Sequence, residues 1–221
     1  MTATLDEESK LLMRAIIEST ARRQLASINI LGHCLKFVGD LDVKVAVATE
    51  LDLALRLFRQ VHSLYKELGW TDLEDAVRDR LEEIPYPESR LEFGVAYYVT
   101  GMAEEVAMGA FVDSTCKGFA AIARSHVDAA VRRPAPKRFI AYCEDPSNRP
   151  HAQQFLDRWS GIAERFFGPP GGARDLRVVE LGLRARTTEQ MLGDYRARLA
   201  SLLERCGLKA PVGLMASDAI G

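Results

Sequence analysis

From Leu5 to Val38 the chain has no proline and a single glycine, Gly32. Apolar residues return every three or four positions across that length, which is the period of a long helix packed on one side. A second long helix follows at once. Asp40 is placed to cap it; Ala54, Leu57, Val61, Leu64 and Leu68 form one stripe, and Gly69 stops it. Leu51, Leu55, Phe58 and Tyr65 form a neighbouring stripe that includes His62. Thr71 and Glu74 stand at capping-box spacing before a short third helix, TDLEDAVRDRLEE, which the turn IPYPES (84–89) ends. A fourth helix is predicted over about 90–112 and a fifth from Gly118 to about Arg133, where Pro134 and Pro136 break it. A connector leads to a sixth helix over about 151–167, and GPPGG (168–172) interrupts the chain. Two more helices follow, over about 176–184 and 189–206, the last capped by Thr187 with Gln190. No strand pattern or repeat competes. The order predicts an all-α fold: a four-helix bundle with a crossover and additional C-terminal helices, in one domain over 1–211, with 212–221 a flexible tail.

Composition narrows the function classes. Of the 221 residues 48% are hydrophobic, enough for a sizeable core, and the net charge of −2 gives no electrostatic reason to expect nucleic acid or an anionic membrane. The basic stretches ARRQ (21–24) and VRRPAPKR (131–138) are short and balanced by acids, so they read as solvated faces or a local anion site. The N-terminus lacks the basic-then-apolar order of a signal peptide, and no apolar run approaches the roughly 18–20 residues that span a bilayer. Cys34, Cys116, Cys143 and Cys206 are scattered without paired spacing, which predicts reduced thiols in a cytoplasmic protein.

The chemistry-bearing residues are polar groups on apolar helix faces. Glu50 stands one turn before the Ala54 stripe; Glu104 shares a face with Tyr97, Met108 and Phe111, while Glu105 lies beside Tyr98 and Met102. His126 shares a face with Phe119, Ile122 and Ala130. An ionised carboxylate inside such a core costs several kcal/mol unless it is paired or bound to a metal. The bland alternative is a carboxylate at the edge of its stripe that reaches solvent, with His62 and His126 as hydrogen-bonded core or rim residues. If the first hairpin turns near residue 37, Gln24 and Glu50 are level, each about thirteen residues away, whereas Glu18 lies about 9 Å deeper. A second hairpin turning near 115–116 puts Glu105 level with His126. A half-site of Glu105 and His126 with Glu50 opposite follows. Such a group could do acid–base work.

The stretches LDRWSGIAERFFGPP (156–170) and LGLRARTTEQMLGDYRARLASLLERCGLKAP (181–211), with TELDLALRLFRQVHSLYKELG (49–69) and VTGMAEEVA (99–107), resemble the phenylacetyl-CoA (ring 1,2-) epoxidase catalytic-subunit family over about residues 10–211. The resemblance implies a ferritin-like fold, and in catalytic members a di-iron centre that activates oxygen and epoxidises an aromatic acyl-CoA within a multi-subunit complex. The ligands do not carry over. Gln24 stands where the first-helix Glu is expected, and the first Glu-x-x-His becomes Glu50 followed by Leu53. Thr100 replaces the fourth-helix acid, and HVDAAVR (126–132), with His126 and Asp128, lacks the second Glu-x-x-His. Of that set only Glu50 remains.

Three functions are therefore expected in competition, the third being a plain helical interaction module. The first is a metal-free member of the family with no cofactor, serving as a non-catalytic subunit beside a second copy or a related ferritin-like subunit, or binding an aromatic or acyl-thioester ligand in a core lined by Gln24, Leu53, Thr100, Glu104 and Asp128. The second is an oxygenase or other oxidoreductase, iron-dependent or not, with an unorthodox site of Glu50, Glu104 or Glu105, and His126. In the first case Glu50 needs compensation, expected from Gln24 or from Arg22 or Arg23.

Overall fold

The computed structural model describes residues 5–79, 84–130 and 136–211. Among these all regular structure is helical: α1 (Glu7–Cys34), α2 (Leu41–Glu67), α3 (Leu73–Arg78), α4 (Arg90–Gly109), α5 (Lys117–Ala130), α6 (Lys137–Glu144), α7 (Arg149–Glu164), α8 (Ala173–Glu180) and α9 (Thr188–Cys206). Short 3-10 turns at Leu35–Phe37 and Pro146–Asn148 follow α1 and α6.

The other elements are arranged about α4. On one side lie α1, α2 and α5, the helices that close a four-helix bundle with it; on the other, α6, α7 and α9 form a second layer. Its residues show the consequence: Val99, Thr100, Gly101, Met102, Ala103 and Glu104 are all buried, one after another. A helix covered on two sides is largely apolar, its buried polar groups need partners, and small residues let two layers approach it. α3 packs against the N-terminal part of α1, as the shared cluster of Met13, Ile17, Leu73 and Val77 requires.

Local signals set most of the boundaries. Asp6, Asp40 and Ser89 each accept a backbone N–H in the first turn of α1, α2 and α4. Thr187 and Gln190 form the expected capping box of α9, and Gly207 ends that helix in the left-handed region at φ 62°. Three expectations are corrected. Thr71 does not cap α3, which starts at Leu73 after Asp72 in the left-handed region. The connector after Pro136 is not irregular: KRFIAYCE is the two-turn helix α6, anchored by buried Phe139 and Cys143. The predicted sixth helix starts two residues earlier, at Arg149, where Pro150 occupies its first turn at no hydrogen-bond cost. The predicted ends of the third and fifth helices, and the tail 212–221, lie outside the described residues.

Trp159 is fully buried, and its role is specific. Its indole N–H donates to Glu92 Oε1 at 2.9 Å, beside Arg158 Nη1 at 2.8 Å, while the backbone N–H of Glu88 donates to Glu92 Oε2 at 2.7 Å. Glu92 is 1% exposed and sits in the first turn of α4, where the helix dipole also favours an anion. This buried carboxylate fastens α7 to the start of α4. A second fastening lies at the other end of that layer, where Asp175 of α8 accepts from Arg184, from the Thr188 backbone N–H at 3.0 Å and from Thr188 Oγ1 at 2.7 Å. All four cysteines are free and buried, and burial pushes the Cys34 thiol up to about 12. Among the described residues no helix is long and apolar enough to cross a membrane.

Candidate functional site

The apolar interior is not continuous. One cluster takes Met13, Ile17 and Ala21 of α1 with Leu57, Phe58 and Val61 of α2; the other takes Ile30, Leu31 and Cys34 of α1 with Val47 and Ala54 of α2. Between them α1 carries Arg23 and Gln24, both buried. A polar layer therefore crosses the bundle, and it encloses a cavity of ≈ 40 Å³ lined by all four bundle helices. Gln24 and Ser27 come from α1, Glu50 and Leu53 from α2, Tyr97, Thr100 and Glu104 from α4, and His126 from α5.

Helix geometry explains why these side chains meet. Positions 97, 100, 101 and 104 are one stripe of α4, and 50, 53, 54 and 57 one stripe of α2. Gln24 and Glu50, equidistant from the first turn, reach the same cavity as the depth reasoning predicts. The sequence places six of its eight candidates here: Gln24, Glu50, Leu53, Thr100, Glu104 and His126. Two are elsewhere. Glu105 is rotated by about 100° from Glu104 and faces α9, where its carboxylate lies 3.7 Å from Arg198. Asp128, two positions from His126 and so on the opposite side of α5, is exposed.

The centre of the layer is Glu104, 5% exposed. Its Oε2 accepts from Arg23 Nε and its Oε1 from Gln24 Nε2 at 3.0 Å. Arg23 is held on every side: Nη1 donates to Ser19 Oγ at 3.0 Å and to the Phe166 carbonyl at 3.4 Å, and Nη2 to Thr20 Oγ1 at 3.1 Å. Arg23 and Gln24 thus compensate Glu104, and the second Arg of ARRQ is a buried pairing residue rather than part of a solvated face. Nothing in local composition announces this, because Arg23 pairs with a residue 81 positions away. Ser27 is also a lining residue that the sequence reading missed; its signal is the one-turn spacing from Gln24. Thr100 is occupied locally, its hydroxyl donating to the Ala96 carbonyl at 2.6 Å.

Burial alone would raise the Glu104 carboxyl. The charges of Arg23 and His126, with the hydrogen bonds from Arg23 and Gln24, outweigh it and hold the group below its ordinary value of 4.5. A carboxyl depressed in the folded state contributes stability that is present above 4.5 and lost as pH falls through its folded value. Unfolding free energy should therefore begin to fall below about pH 4.5. It should fall less steeply in Glu104→Gln, as measured by denaturant titration across the acid range. Equal slopes in the two proteins would contradict this account.

The donor set does not fit a carboxylate-bridged metal pair. Gln24, Leu53 and Thr100 supply no anionic ligand, and the buried carboxylate of this cavity, Glu104, already holds a guanidinium. Among the described residues no three His, Cys, Asp or Glu are grouped so as to hold a metal ion. Comparison with known protein families and with characterised proteins finds no match.

Proposed function

We propose that the protein is a ferritin-like bundle, akin to the phenylacetyl-CoA epoxidase subunits, whose metal position has been replaced by an arginine–carboxylate plug, and that it acts as a non-catalytic subunit. The observation that carries this is Arg23 on Glu104, with Gln24, at the centre of four helices. The size of the cavity favours a subunit over a core receptor for an aromatic acyl thioester. At ≈ 40 Å³ it has room for about three waters, whereas a void that takes benzene is about 150 Å³. Its partner would be an intact ferritin-like subunit or a second copy of this chain, in the cytoplasm, with no cofactor of its own.

The competing enzymatic reading has one observation in its favour: Glu50, Glu104 and His126 do share a cavity. Metal analysis separates the two. Protein produced in iron-replete medium should contain well under one iron per chain, and co-expression with an intact ferritin-like subunit from the same gene neighbourhood should give a stoichiometric complex. About two irons per chain with oxo–carboxylate absorption would overturn the proposal and restore the enzyme.

A further inference from the structure

We infer that the outward face of the N-terminal half of α2 is an interface on which a second copy of this chain packs antiparallel, about a two-fold axis at Ala48. This interface does not depend on the functional reading, which names no surface. The buried side of α2 carries Val47, Ala54, Leu57, Phe58 and Val61. On the opposite side, one turn apart, stand Leu41 and Val45, 73% and 57% exposed. Of the large apolar side chains exposed among the described residues, only these two share a helix face. Ala48 continues the stripe in the open, followed by exposed Asp52 and half-buried Leu55. A surface helix ordinarily turns charge to solvent on this side, so neighbouring exposed aliphatics mark a contact surface.

The order of charges along this face says what covers it. Lys44 stands four positions before Ala48 and Asp52 four after; Leu41 stands seven before and Leu55 seven after; Asp40 stands eight before and Arg56 eight after. A two-fold axis at Ala48 that reverses the helix direction brings each of these positions level with its counterpart on the other copy. Lys44 of each copy then lies across from Asp52 of the other, Asp40 from Arg56, and Leu41 from Leu55. The face is therefore its own complement, in charge and in apolar surface. Asp52 already holds Arg56 of its own chain, so the two copies join their charges into one network. The small side chain on the axis lets the helices close to packing distance. A parallel pair would set Lys44 against Lys44 and Asp52 against Asp52, which like-charge repulsion rejects. A lipid surface is not favoured, since acids and bases are balanced here. From Leu41 to Arg56 the contact runs about 24 Å, small for a specific interface, so a dimer of micromolar affinity is expected. Its apolar pairs supply most of the free energy, and the exposed ion pairs set direction and register.

The experiment is sedimentation velocity of the full chain, with circular dichroism to confirm the fold of each variant. Wild type should pass from monomer to dimer across the micromolar range. Val45→Glu should weaken the dimer by about tenfold or more, because it replaces a buried aliphatic contact on each copy with a charge. Lys44→Glu sets like charges across the axis twice and should weaken it by about three- to tenfold. Adding Asp52→Lys to Lys44→Glu should restore association. Ala48→Cys, on the axis, should crosslink to its mate under mild oxidation, whereas Gln60→Cys, exposed but far from the axis, should not; the four native thiols are buried. A wild type that stays monomeric throughout leaves the face to a different chain and overturns the inference. So does a dimer that Val45→Glu leaves intact, or a charge reversal that Asp52→Lys does not rescue. Should Val45→Glu lose helicity, the crosslink at Ala48→Cys decides. Iron content moves none of these readings, so this proposal and the functional one fail separately.

Discussion

Glu104→Leu should cost about 3–5 kcal/mol, the toll for leaving one partner of a buried ion pair uncompensated, and should lower the melting temperature by on the order of 10 °C. The mutant core gains an apolar side chain, yet Arg23 would lie 4% exposed with no counter-charge. The double variant Arg23→Met/Glu104→Leu should recover most or all of the loss, because a buried pair replaced by apolar residues of similar volume is often neutral or stabilising. Chemical denaturation of the four proteins of this cycle provides the measurement. Additive losses in the double variant would mean that the two side chains do not act as a pair.

Trp159→Ala should be of similar size, about 3–5 kcal/mol, since it deletes the largest fully buried side chain and leaves a cavity. It also takes one donor from Glu92, which keeps Arg158 and the Glu88 N–H. Trp159→Phe separates the two effects. It retains most of the packing and removes only the indole N–H, so its loss should be nearer the 1–3 kcal/mol typical of a buried polar group deprived of a partner. A Phe variant as damaged as the Ala variant would show that the hydrogen bond to Glu92, rather than packing, dominates at this position.

What the sequence made legible follows from the range of the interactions. Helix periods, caps and breakers act over a few residues. The long elements could therefore be read directly, and so could the Thr187–Gln190 box and the level pairing of Gln24 with Glu50. Glu104 and Glu105 differ by a rotation of about 100°, finer than a hairpin midpoint can resolve, which is why the sequence pairs His126 with Glu105 while the structure sets Glu104 beside it. Asp128 enters the expected core only through the resemblance over HVDAAVR, although two residues along a helix from His126 is just over half a turn. Arg23–Glu104, Trp159–Glu92 and Arg184–Asp175 are tertiary choices. In the first two a charged side chain is buried because a distant helix supplies its partner, and in the third because the loop after α8 folds back on it; nothing within one helix encodes that. The segment that became α6 was obscured by two prolines, which stop the preceding helix without forbidding a new one.

The position of α4 between two layers bears on how the molecule comes apart. If the bundle and the C-terminal layer each had a core of their own, one could melt while the other persisted, and the chain would pass through a half-folded state. Here the same helix supplies a wall to both, and Arg23 of α1 binds both Glu104 and the carbonyl of Phe166, just past the end of α7 in the second layer. Neither layer can release α4 without stripping the other of the surface it is folded against. The chain is accordingly built to unfold as one cooperative unit in spite of its two-layer architecture.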